Sequence, residues 1–265
     1  ASRIGVSIGD LFLAGILPGV MTAALLMFVA WRVAVLRGYA SGAFTGWRSF
    51  TRALLFAIPG LMTAIIIIGG ILSGIFTATE SSAIAVIYTI AIGALVYQTL
   101  GWKRFSEAAM QSVKITAMVL LIIGAATAFG YALAILEAPA KLADMITSAT
   151  SNPILVLLIV NVILLVLGTF MDMSPLIIIS TPILLPVVME VGVDPVHFGI
   201  VMMLNLGIGL VTPPVGSVLF VGSAVGKVPV EQAVKTIWPF YGALLLALVI
   251  ITFVPALSLT LPNLF

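Results

Sequence analysis

Residues 207–216 read Gly-Ile-Gly-Leu-Val-Thr-Pro-Pro-Val-Gly inside an otherwise apolar run. A proline has no backbone N–H, and its ring clashes with the preceding turn, so Pro213 and Pro214 break the helical ladder. Within hydrocarbon, the freed backbone groups survive only where protein buries them or where they line a cavity. A span broken in this way points to the binding site of a transporter. The competing reading is a packing kink, since proline is frequent in membrane helices.

Composition places that run in a membrane. The chain is 62% hydrophobic and 8% charged, with a mean hydropathy of +1.33, whereas globular domains carry about 25% charged residues. The expected class is therefore an all-α integral membrane protein. With no cysteine, a disulfide framework and a thiolate metal site are both excluded. A net charge of +2 gives no argument for nucleic acid; the placement of the charges matters more. Walker-type, Gly-x-Ser-x-Gly and His-Glu-x-x-His patterns are all missing, so the chain is not expected to be an enzyme or to hydrolyse ATP. It opens at Ala1 without a methionine or a targeting segment, which suggests a processed chain or a fragment.

Long apolar runs cover residues 11–35, 53–76, 82–100 and 115–136. Residues 102–114, with Lys103, Arg104, Glu107 and Lys114 around Phe105 and Met110, read as an amphipathic helix in the interface. A polar patch with Glu137, Lys141 and Asp144 follows. Asn152-Pro153 is a good helix start. The helix it opens is interrupted at Gly168-Thr169-Phe170-Met171-Asp172-Met173-Ser174-Pro175. Residues 153–167 make about 22 Å of helix against a bilayer core of about 30 Å. A second short arm, Pro175 to Met189, contains Pro182 and Pro186. Two short arms around a polar tip predict a re-entrant hairpin. Asp194-Pro195 caps the next helix, which meets the Gly/Pro break and resumes from about Val215 to Val225.

The stretch around Asp10 and Pro18 is echoed around Glu231 and Pro239, each with an acid eight residues before a proline. The predicted architecture is an inverted-repeat, ion-transporter-like fold with a re-entrant helical hairpin and a discontinuous transmembrane helix. Residues 1–41 would end a first repeat. Residues 42–265 would form the second, with scaffold helices at 53–136, the hairpin at 153–189, the broken helix at 195–225 and a last helix at 237–257.

Basic residues test this threading. With the Arg32–Arg52 loop taken as cytoplasmic and 152–190 as re-entrant, Arg32, Arg37, Arg48, Arg52, Lys103, Arg104, Lys114, Lys227 and Lys235 fall on the cytoplasmic side, and only Arg3 and Lys141 fall outside. That asymmetry follows the positive-inside rule, and a single crossing by 152–190 would weaken it.

The hairpin tip and the Pro-Pro break make the strongest constellation. Unwound backbone offers carbonyl oxygens, and small residues let them converge on a cation. Gly168, Thr169, Gly209, Thr212 and Val215 are the candidate Na⁺ ligands. Half-helix N-termini at Pro175 and Val215 suit a carboxylate substrate, with Asp172, Ser174, Thr212 and Pro213 as candidate substrate contacts. Asp172 is the one acid at predicted membrane depth, where a charge is costly. It would bind a cation, gate the substrate, take up a proton or cap the second arm. Thr79 and Ser82 read as capping of the third span. His197 stands alone, without a second ligand at metal spacing. Met171, Met173, Met202 and Met203 read as packing.

Several strings carry a resemblance. Leu-Gly-Thr-Phe-Met-Asp (167–172), Pro182-Ile-Leu-Leu-Pro186, Gly192-Val-Asp-Pro-Val-His-Phe-Gly199 and Gly209-Leu-Val-Thr-Pro-Pro-Val-Gly216 resemble the large membrane subunit of TRAP transporters. So do residues 7–19 and Phe76-Thr-Ala-Thr-Glu-Ser-Ser-Ala83. The resemblance covers essentially the whole chain. It implies a Na⁺-coupled secondary importer of organic acids, of the C4-dicarboxylate or sialic-acid class, working by an elevator mechanism in the bacterial inner membrane. The implied partners are a small membrane subunit and a periplasmic solute-binding protein, and the implied Na⁺ ligands fall on Gly168, Gly209, Thr212 and Val215. It also places Ala1 after the first repeat's own hairpin and broken helix. The alternatives are a noncatalytic membrane scaffold and a proton-coupled permease using Asp172.

Overall fold

The computed structural model describes residues 7–39, 42, 46–137, 141, 145, 152–214 and 216–264, and all regular structure among them is helical. Arg3, Asp144 and Val215 lie outside the described residues. The elements are α1 (Ile8–Leu36), α2 (Trp47–Leu72), α3 (Ala78–Ala91, continued by a π turn at Ile92–Val96), α4 (Trp102–Ile135), α5 (Pro153–Phe170), α6 (Met173–Glu190), α7 (Pro195–Leu210), α8 (Ser217–Gly226), α9 (Val230–Phe253) and α10 (Ala256–Leu259). Seven of the described helical segments are long and apolar enough to cross a membrane: α1, α2, α3 with its π turn, α4, α5, α6 and α9.

Two compact units share the chain: residues 1–37 with 118–265, and residues 38–117. In the smaller unit α3 lies along α2. Tyr88 donates to the Pro59 carbonyl at 2.9 Å, and Tyr97 donates to the Phe56 carbonyl at 2.8 Å. The cap of α3 is Thr77 rather than Thr79. Thr77 accepts from the Glu80 N–H, and the Glu80 carboxylate accepts from the Thr77 N–H at 2.8 Å, a reciprocal capping box. No interruption separates the amphipathic residues 102–114 from the following span, because nothing between Trp102 and Ile135 caps or breaks the helix.

In the larger unit α7 is central. On one side Phe198, Met202 and Leu206 pack with Val156, Val160 and Leu164 of α5 and with Leu176, Leu184 and Val188 of α6. On the other, Ile200, Val201 and Ile208 pack with Ala14 of α1 and with Leu248 and Ile251 of α9. Asn152, Asp172 and Asp194 cap α5, α6 and α7, respectively.

The hairpin arms are longer than the sequence suggests. Both α5 and α6 have 18 residues, or about 27 Å each. Helix α5 continues through Gly168 and Thr169, and α6 begins at Met173 and runs through Pro182 and Pro186. Apolar packing on α7 holds these extra turns in place, which local propensity does not register. At this length the arms no longer argue by themselves for re-entry over crossing.

Candidate functional site at the hairpin turn and the helix break

The ends of α5 and α7 meet at two glycines. A Cβ on Gly209 would lie 2.7 Å from the Gly168 carbonyl carbon and oxygen, and one on Gly168 would lie 3.4 Å from the Gly209 Cα. The two backbones therefore touch, with the Gly168 carbonyl against Gly209. Small residues at helix crossings in membranes allow this approach.

Both helices end beside that contact and leave carbonyls over. In α5 the last ladder bond runs from the Met171 N–H to the Leu167 carbonyl at 3.0 Å, so among the described residues Gly168, Thr169 and Phe170 keep free carbonyls. In α7 the Gly209 carbonyl accepts from the Thr212 N–H at 3.0 Å, a tightened last turn. The donor that would serve Leu210 four residues on is Pro214, which has none. Among the described residues the break proper therefore covers 211–214 and 216, with Gly207 and Gly209 still helical.

Of the candidate residues, Gly168 and Gly209 are buried and in contact. Thr169, Thr212 and Pro213 line one cavity of about 520 Å³ with Leu165, Ile208, Trp238 and Tyr241. The Thr169 hydroxyl donates to Val166 and the Thr212 hydroxyl to Ile208, each at 2.7 Å, leaving oxygen lone pairs on both. Asp172 is exposed and caps α6, accepting from the Met173 N–H at 3.1 Å. Its carboxylate also accepts from the Ser217 hydroxyl at 3.4 Å, which brings the hairpin turn to the start of α8. Ser174 is exposed and is not among the cavity's lining residues.

Sequence reasoning missed five polar residues here. Asn205 donates to the Asn161 side-chain and main-chain carbonyls at 2.8 and 3.0 Å, and Asn161 donates to Thr252 at 2.9 Å. This buried chain ties α5, α7 and α9 together below the glycine contact. An amide within an apolar membrane helix is itself a signal, because hydrocarbon penalises it unless paired. His197 is also buried, and neither of its ring nitrogens completes a hydrogen bond among the described residues. Ser217 and Tyr241 carry no such signal; they matter only by where the fold puts them.

Helix ends gathered around a largely apolar cavity that carries two threonine hydroxyls and a phenol, within a set of helices long and apolar enough to span, define an integral membrane protein. The comparisons agree. Residues 1–257 match the family model described as the tripartite ATP-independent periplasmic transporter, DctM component, and the chain belongs to that family. It is 39% identical to the sialic acid TRAP transporter large permease protein SiaM of Vibrio cholerae over 98% of this chain and 61% of SiaM. It is 38% identical to the C4-dicarboxylate TRAP transporter large permease protein DctM of Pseudomonas aeruginosa over 99% of this chain and 62% of that protein. It is 41% identical to the isethionate TRAP transporter permease protein DctMQ of Oleidesulfovibrio alaskensis over 96% of this chain and 40% of that protein. The chain thus spans about three fifths of the large permeases it matches. It is a multi-pass protein of the bacterial inner membrane.

Proposed function

We propose that this chain carries the ion-coupling half of a Na⁺-driven importer of organic acids, delivered by a periplasmic binding protein and working beside a small membrane subunit. The observation that carries the reading is the Gly168–Gly209 contact, which sets the left-over carbonyls of α5 beside the Thr212 turn. Neutral oxygens at a backbone convergence suit a hard, singly charged cation. Among the described residues no cluster of His, Cys, Asp or Glu offers a stronger ligand set. The Na⁺ ligands are assigned to Gly168, Thr169, Gly209 and Thr212, with Val215 completing the set by resemblance.

The first turn of α8 has no side-chain cap, so its N–H groups suit a substrate carboxylate. Asp172 lies against the same turn through Ser217 and would repel that carboxylate. A cation bound first offsets the repulsion, which gives a physical basis for coupling. Sulfonate, dicarboxylate and sialic acid stand in the names of the relatives, and the proposed class is their shared chemistry, a small organic anion. The division of the chain into two compact units, with every candidate site residue in one of them, supports an elevator in which that unit carries the site.

Uptake by the complete transporter in proteoliposomes tests this. A Na⁺ gradient alone should drive accumulation. Drive by a pH gradient alone would replace Na⁺ with proton coupling, and no flux under either would leave a scaffold. Thr212→Ala should weaken Na⁺ dependence far more than Thr79→Ala, and equal effects would overturn the site assignment.

A further inference from the structure

Tyr241 sits on α9, outside both interruptions, yet its phenol reaches the break. The O–H donates to the Val211 carbonyl, which lies just past the end of α7. The ring is buried, with 7% of its surface exposed, and it lines the same cavity as Thr169, Thr212 and Pro213.

Proton counting makes this arrangement informative. A phenol and an alcohol each have one proton to give, and a carbonyl can only accept. The Tyr241 proton is committed to Val211, and the Thr212 proton is committed to Ile208 at 2.7 Å. Both hydroxyls have thus committed their protons to backbone carbonyls, and both residues line the same cavity with only oxygen lone pairs left to offer. Oxygens left with lone pairs alone can only accept, which suits a cation. Holding the Val211 carbonyl also fixes the backbone from which the Thr212 side chain projects.

We infer that Tyr241 is a positioning residue for the cation site: by donating to Val211 it orients the Thr212 turn and leaves the Thr212 oxygen free to coordinate. The inference rests on the Na⁺ reading above. It assigns α9 a part in ion coupling that neither the hairpin nor the broken helix contains.

The test measures the Na⁺ dependence of uptake in the reconstituted complete transporter for wild type, Tyr241→Phe, Tyr97→Phe and Thr212→Ala. Loss of one such hydrogen bond should raise the Na⁺ half-saturation of Tyr241→Phe about fivefold, with the maximal rate kept within about twofold. Tyr97→Phe is the matched control, since it also removes a tyrosine bond to a backbone carbonyl but lies in the smaller unit. Its half-saturation should stay at the wild-type value. An unchanged half-saturation in Tyr241→Phe, or an equal rise in Tyr97→Phe, overturns the inference. If Thr212→Ala also keeps wild-type Na⁺ dependence, the Na⁺ reading itself falls. A variant too slow to transport is scored by Na⁺-induced thermal stabilisation of the detergent-extracted complex, with the same outcomes.

Discussion

At the hairpin turn the chain caps itself. Asp172 takes the first N–H of α6, and its own carbonyl accepts from Leu176 at 3.3 Å. At the helix break no side chain caps α8, and the stray carbonyl of Val211 is met by Tyr241, 30 residues further on. The first interruption is thus specified by adjacent residues, and the second is held open by another helix. A locally capped turn can form as the arms form, whereas a break held from outside forms only once the second helix has packed beside it.

The comparison can be broken most directly at the glycine contact that joins the two sites. Gly209→Ala puts a methyl 2.7 Å from the Gly168 backbone, so α5 and α7 must separate at a cost of about 1–3 kcal/mol. Gly168→Ala meets its nearest atom only at 3.4 Å and should cost clearly less. Thermal unfolding in detergent ranks the two, and equal losses would contradict the asymmetry. Next comes the buried amide chain. Asn205→Ala removes both donations to Asn161, with an expected loss of about 1–2 kcal/mol. Because the residues share one network, Asn161→Ala in the same molecule should add much less than it costs alone.

Smaller effects separate local from distant support. Asp172→Ala should cost about 1 kcal/mol of α6 capping, and Asp172→Asn should restore most of it, because asparagine caps as well as aspartate. If Asp172→Asn regains stability but not substrate dependence, the charge acts beyond the cap. Ser217→Ala removes one long, exposed bond at 3.4 Å and should change stability by less than about 0.5 kcal/mol. A larger loss would mean that the hairpin turn and α8 are locked together more firmly than their geometry shows.

The helix starts were legible because their signals are chemical and adjacent. Asn152-Pro153 and Asp194-Pro195 each open a helix where the residue pair predicts it. The Pro-Pro break was legible too, since a missing N–H is a property of the residue itself. The helix ends were less so. Gly168 reads as the start of an interruption, yet it is helical, because Leu164 and Leu206 bury the last turns of α5 against α7. Longer arms took with them the length argument for a re-entrant hairpin. Thr79 reads as the cap where Thr77 serves, since both lie within one turn and only the reciprocal bond to Glu80 decides between them.

By itself, then, the sequence determined that this is a multi-pass membrane protein, that it belongs among TRAP large permeases, and that Pro213-Pro214 breaks a helix within residues 207–216. Those are consequences of composition, matched strings and proline chemistry. Only the tertiary structure decided that Gly168 meets Gly209, that two asparagines and a threonine bind three helices together, and that a tyrosine of α9 attends the break. Each of these is a contact between segments far apart in the chain, and the packing of α7 between the hairpin and α9 is what brings them within reach.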